Sequence, residues 1–279
     1  MDLLPHNETF SRQGGPMLIV EMTPNLLGIK IAGDYDDLNE LYDAIWALTI
    51  ADSDFPEDKR LRGTADELAM STRLLSLCYD IRHAYQGDRN VELKDNGLNE
   101  WTAEYLGIDT NLKSVVFSVE VLYPEAMYEA LILNYLMAKR TNHMLESNAV
   151  DMRDEWPGES LLDEPMAIVR AYLAKLLAAV GKQATKGRFE RIKKGMKNYQ
   201  YAAAMYEQWV DVINNDFAGM TKRRRAEELS VVVRDITECY KHDQYLDMKA
   251  DIDRAAEKHG CHRSEIQIPG LYEWDDIEW

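Results

Sequence analysis

Long apolar runs are missing from this chain of 279 residues. The longest stretches, such as residues 130–133 and 115–119, stop at Asn134 and Glu120. None approaches the roughly 18 apolar residues that a helix needs to cross a bilayer. The opening Met1-Asp-Leu-Leu-Pro-His is not basic and has no signal-peptide apolar region. These absences predict a cytoplasmic protein with no membrane association. Cysteine is scarce as well. Cys78, Cys239 and Cys261 are odd in number and far apart, which argues against a disulfide framework and against a zinc cluster. They are expected to be reduced thiols.

Complete catalytic motifs are also lacking. The chain contains no nucleophile elbow, no CxxC pair, no H-E-x-x-H and no dinucleotide glycine fingerprint. Gly181-Lys-Gln-Ala-Thr185 fails as a phosphate loop, because Leu176 stands where glycine is required and Gln183 where Ser or Thr is required. The helical RNase pattern of Arg, four to six residues, then His is not met. Arg82 and His83 are adjacent, Arg140 and His143 are separated by two residues, and Arg234 and His242 by seven. No internal repeat or low-complexity tract is present.

Apolar residues make up 46% of the chain, enough for a real core. The net charge of −17 is unevenly spread. Residues 1–164 carry a net −18, residues 165–260 a net +5 and residues 261–279 a net −4. The acidic part repels nucleic acid on average, while the helical part does not. The two parts are suited to attract one another within or between chains.

The pattern of the first half reads β-β-α-α-β-β-α. Residues 17–22 and 26–32 form an expected hairpin around Thr23-Pro24-Asn25. Asp34 and Asp37 suit a helix start, as does the T-x-x-E box Thr64–Glu67. Residues 90–94 form an expected third strand. Over residues 114–123, Val115, Phe117, Val119 and Val121 alternate with Ser118 and Glu120, which marks a strand with one buried face. Lys30 and Glu120 are placed to pair across strands. The expected fold is α+β: a small, mainly antiparallel sheet of about four strands with helices on one face, followed by a C-terminal helical bundle. The expected divisions are an α+β domain at 1–150, a helical bundle at 163–260 with one long helix over 187–214, and an acidic aromatic tail at 261–279.

Four places carry candidate chemistry. In Tyr79–Arg89, His83 is an acid–base candidate and Asp80, three residues earlier on a helix, can orient it. Arg82 and Arg89 can hold an anion, so the set fits phosphodiester chemistry. A solvated helix end accounts for the same residues. Asp34–Asp37 stacks carboxylates, but helix capping already explains them and no metal is assigned. The basic run from Lys182 to Lys197, with Lys193 and Lys194 as anion-binding candidates, joins Lys222-Arg-Arg-Arg225 as a possible phosphate-tracking face. Neutralisation of the acidic half competes with that reading. In the tail, Tyr272, Trp274 and Trp279 lie among acids and suit docking onto a basic groove, the chain's own or a partner's.

The stretch from Thr23 to Leu38, together with Leu77-Cys-Tyr-Asp-Ile-Arg-His83, resembles an uncharacterised bacterial family of unknown function over about the first 145 residues. The resemblance implies a bacterial origin and no known activity. The leading expectation is a non-catalytic protein-interaction or regulatory protein without a cofactor, which binds a protein partner or itself. The alternatives are a phosphodiester-acting or nucleotide-binding enzyme at residues 80–89, and nucleic-acid binding through residues 182–225.

Overall fold

The computed structural model describes residues 18–52, 57–58, 60–107, 112–146, 163–268 and 279. Strands β1 (Ile19–Met22) and β2 (Gly28–Gly33) form the expected antiparallel hairpin. Its turn is held by Thr23, whose Oγ1 accepts from the Gly28 amide at 2.9 Å while its own amide donates to the Gly28 carbonyl at 2.9 Å. Gly28 is required by close approach, since a Cβ there would lie 2.2 Å from the Val121 carbonyl oxygen.

Helix α1 (Tyr35–Leu48) starts at a reciprocal Asp34–Asp37 capping box, and α2 (Ala65–Tyr85) at a Thr64–Glu67 box. Strand β3 (Asn90–Asp95) follows, then a short helix α3 (Glu100–Leu106), strand β4 (Lys113–Leu122) and the long α4 (Tyr123–Glu146). The sheet order is β1-β2-β4-β3, and every neighbouring pair is antiparallel. Ile29, Ile31, Val119 and Val121 share the row that enters the core. On the other row Lys30 stands opposite Glu120, as the alternation predicts. The ion pair itself forms elsewhere: Lys30 Nζ reaches Glu92 on β3 at 2.7 Å, and Glu120 accepts from Asn90 instead.

Between residues 163 and 260 the chain is helical, through α5 (Glu164–Gln183), α6 (Lys186–Met196), α7 (Gln208–Ala218), α8 (Lys222–Thr237) and α9 (Asp243–His259). The single helix expected over 187–214 is instead two, separated by a 3-10 turn at Tyr199–Ala204. Gly195 and Asn198 are weak helix formers near the break. Gly195 also packs so close to Val233 that a Cβ would meet it at 2.6 Å.

Helix α5 touches the next C-terminal helix only lightly, where Gly181 meets Phe189. It lies against α1 and β1. Helices α7 and α8 pack on α4, and α6 packs on α8. Two polar ties fix this arrangement. Tyr123 Oη donates to the Leu229 carbonyl at 2.8 Å. The buried Arg225 donates to the Phe217 and Ala218 carbonyls at the end of α7, and to the Asn25 carbonyl in the β1–β2 turn. It satisfies the orphan carbonyls of a helix end while joining it to the sheet. One continuous apolar cluster takes in Ile29 and Val119 from the sheet and Leu176, Phe217 and Val233 from the later helices.

Candidate functional site

The densest buried polar cluster lies where α2, α4 and α7 meet. Arg73 of α2 grips Glu125 of α4 through two hydrogen bonds of 2.6 Å each, and Asp211 of α7 through a third. Asn214, one turn beyond Asp211, donates to Glu125 at 2.9 Å. Burial depresses the Arg73 pKa, but Glu125 and Asp211 outweigh it and hold the guanidinium firmly charged. Glu129 lies one turn after Glu125 on α4 and is 2% exposed. Its Oε2 meets no hydrogen-bond partner, and neither does Asn214 Oδ1. Burial, reinforced by Glu125, pushes the Glu129 carboxyl well above the usual carboxylate range. Glu207, just before α7, is pushed up to about 7, mainly by burial.

Arg73 separates two openings. On one side a cavity of about 430 Å³ is lined by Asp80, Glu120, Glu125, Glu129, Asn214 and Trp279. On the other, Glu207, Gln208, Asp211 and Ser264 line about 350 Å³. A larger cleft of about 710 Å³ lies beside α4, where a buried carboxylate is already taken up by its neighbours. There Glu67 accepts from Tyr135 at 2.7 Å and from Lys139 at 2.6 Å. Among the described residues no group of three His, Cys, Asp or Glu is placed to hold a metal ion.

The residues of the 80–89 cluster do not form one constellation. Asp80 pairs with Arg89 at 2.6 Å rather than with His83. His83 Nδ1 lies 2.9 Å from Asp88, and its ring packs on Tyr79. Arg82 lies over the Tyr79 ring. Of the four, only Asp80 lines the 430 Å³ cavity. In the basic region, Lys193 pairs with Glu190, and Arg223 and Arg224 pair with Glu227 and Glu228. Lys194 lines a groove of about 440 Å³ between α6 and α8 together with Arg188, Arg191 and Arg234. Tyr272 and Trp274 lie outside the described residues. Trp279 packs beside Gly28 and the carboxylate-lined cavity, not on the basic helices.

The sheet has a bare edge. Val91 stands opposite Phe117 and Leu93 opposite Val115, on the row that continues into buried Val119 and Val121. Along that row the helical cover runs out. Phe117 is half-buried, while Val115, Val91 and Leu93 are 43%, 49% and 61% exposed. All six residues of β3 are exposed. The following α3 buries only Ala103 and presents Trp101 and Tyr105 as a stacked pair, ring centroids 5.5 Å apart.

A family model described as a domain of unknown function, DUF6904, matches residues 18–279. The chain belongs to this family. The match runs through the helical second half, well past the 145 or so residues that carry the resemblance in the sequence. No curated protein and no solved structure matches the chain. No helix among the described residues is long and apolar enough to cross a membrane.

Membership of DUF6904 brings no activity with it, so the geometry has to speak. Sequence reasoning missed Arg73, Glu125, Glu129, Asp211 and Asn214. One signal was available: Glu129 is the single charge within Ala126–Leu133, an otherwise apolar stretch of helix apart from the Tyr128 hydroxyl. A carboxylate in such a place is buried or paired.

Proposed function

We propose that this DUF6904 protein is a non-catalytic protein-interaction protein of the bacterial cytoplasm that self-associates through the edge of β3. The observation that carries the reading is the apolar row that continues past its helical cover onto a fully exposed edge strand. An edge of this kind is a template for pairing unless it is blocked. Its sequence Asn90-Val-Glu-Leu-Lys-Asp95 is self-complementary. In an antiparallel pairing centred on Leu93, Leu93 meets the partner's Leu93 and Glu92 meets the partner's Lys94, with Val91 beside the partner's Asp95 at the rim. Two-fold symmetry makes each ion pair occur twice. Trp101 and Tyr105 are suited to anchor the surroundings of such a contact.

Sedimentation velocity over a range of concentrations tests this reading. The wild-type chain is expected to dimerise. Lys94→Glu sets like charges opposite each other and should weaken the dimer at least about tenfold. Glu92→Lys combined with Lys94→Glu should restore it. A wild-type chain that stays monomeric at all concentrations, or a dimer indifferent to Leu93→Asp and Lys94→Glu, overturns the reading.

The groove between α6 and α8 favours a second reading, anion binding. Arg188, Arg191 and Lys194 line it, and none has an ion-pair partner among the described residues. Binding of a single-stranded oligonucleotide that weakens steeply with salt would support it, and salt-insensitive binding would count against it.

A further inference from the structure

We propose that the cavity between α2, α4 and β4 is a binding site for a small aliphatic amine, held as its ammonium ion against Glu129 and Asn214. The orphan atoms decide the polarity of the ligand. Asn214 Oδ1 is an acceptor, and Glu129 Oε2 becomes one when the carboxyl ionises; both are buried and without a hydrogen-bond partner among the described residues. The Asn214 amide cannot be turned over, because its nitrogen already donates to the Glu125 carboxylate. Buried acceptors left open cost free energy, and a ligand carrying N–H donors removes that cost. An anion or a carbonyl compound offers the Asn214 oxygen no donor.

Charge and shape agree with this polarity. Arg73 is the one cation among the described residues in the wall of the cavity, and it is taken up by Glu125 and Asp211. Asp80 and Glu120 add carboxylates, although Asp80 also pairs with Arg89 and Glu120 also accepts from Asn90. Trp279 supplies an aromatic wall for the alkyl chain or the cation. About 430 Å³ accommodates a molecule of a few carbons. A metal ion is the poorer fit, because the two open oxygens come from one carboxyl and one amide and no third acidic or His ligand joins them.

The groups that act on the Glu129 carboxyl are Glu125 of the same helix, Arg73, Cys78 and Asp80 of α2, and Tyr172 of α5. Burial among them raises its pKa well above the usual carboxylate range and so favours the protonated form. An ammonium ion beside it favours the ionised form, so binding is expected to be coupled to release of a proton to the buffer.

Isothermal titration of the full chain with butylamine and 1,4-diaminobutane, in two buffers of different ionisation enthalpy, tests the site. Saturable binding with release of a proton is expected. Glu129→Gln, nearly isosteric and uncharged, should weaken binding at least about tenfold and abolish the proton release. Asn214→Leu, with its fold checked by circular dichroism, provides a second variant that should also weaken binding. Acetate should not bind. Absence of amine binding, amine binding unchanged in both variants, or binding of magnesium in place of the amine overturns the proposal.

Discussion

Strands β1 and β3 bound the same antiparallel sheet, and the chain treats them differently. Helix α5 lies against β1, and Val20 on that strand is buried in the core. Among the described residues nothing comparable lies against β3, and every residue of the strand is exposed. Composition does not explain the contrast, since Val91 and Leu93 are as apolar as Ile19 and Val20. The difference is topological. The helix that follows β2 and the helix from the second half of the chain both gather at the β1 side. The β3–β4 connection carries only the short α3. Among the described residues a helix of the same chain lies beside one edge strand and none lies beside the other, which is the edge proposed to associate.

The largest effect expected from breaking this contrast lies on the closed side. Leu176 on α5 is fully buried. Leu176→Ala should cost about 3 kcal/mol in urea unfolding, from lost transfer free energy and the cavity left behind. The same variant should still associate normally while it is folded. A loss of association together with stability would mean that the two edges are not independent.

A smaller effect separates the two sides by pH. Glu207 has a folded pKa of about 7 against an ordinary 4.5, so between those values the native state holds the extra proton. Stability therefore falls as pH rises from about 4.5 to 7 and levels off above that. Glu129 acts in the same direction. Glu207→Gln should remove its share of the slope and make the protein about 2 kcal/mol more stable at pH 8, with no gain below pH 4.5. Association through β3 should not follow this profile. The hydrogen bond and charge of Lys30 hold Glu92 below the usual carboxylate range, so it stays ionised throughout the window. Urea unfolding and sedimentation, each run across pH, check the two halves of this statement.

Much of the fold could be read from local signals. Asp34 with Asp37 and Thr64 with Glu67 cap helices as their spacing predicts, because each box spans a single turn. The alternation of Val115 to Val121 marked β4 and the Lys30–Glu120 register, but only Val119 and Val121 of that row are buried, and Val116 and Ser118 of the other row are buried too. What stayed hidden depends on distant partners. Arg73 meets Glu125 across 52 positions and Asp211 across 138, a convergence that no local pattern encodes. The short α3 and the break after α6 are too brief to show a period. Asp80 and His83 were placed on one helix correctly, yet each found a nearer partner, Arg89 and Asp88, just beyond the helix end. In the basic stretch, the count of cations concealed Arg225, which serves as a buried helix cap.

Hydrogen–deuterium exchange at low and high protein concentration tests the central contrast most directly. If β3 is the open edge, amides of residues 90–95 should gain protection as concentration rises from about 5 µM to about 500 µM, while those of residues 19–22 stay unchanged. Protection at β3 that does not depend on concentration, or a gain at β1 instead, would contradict the account.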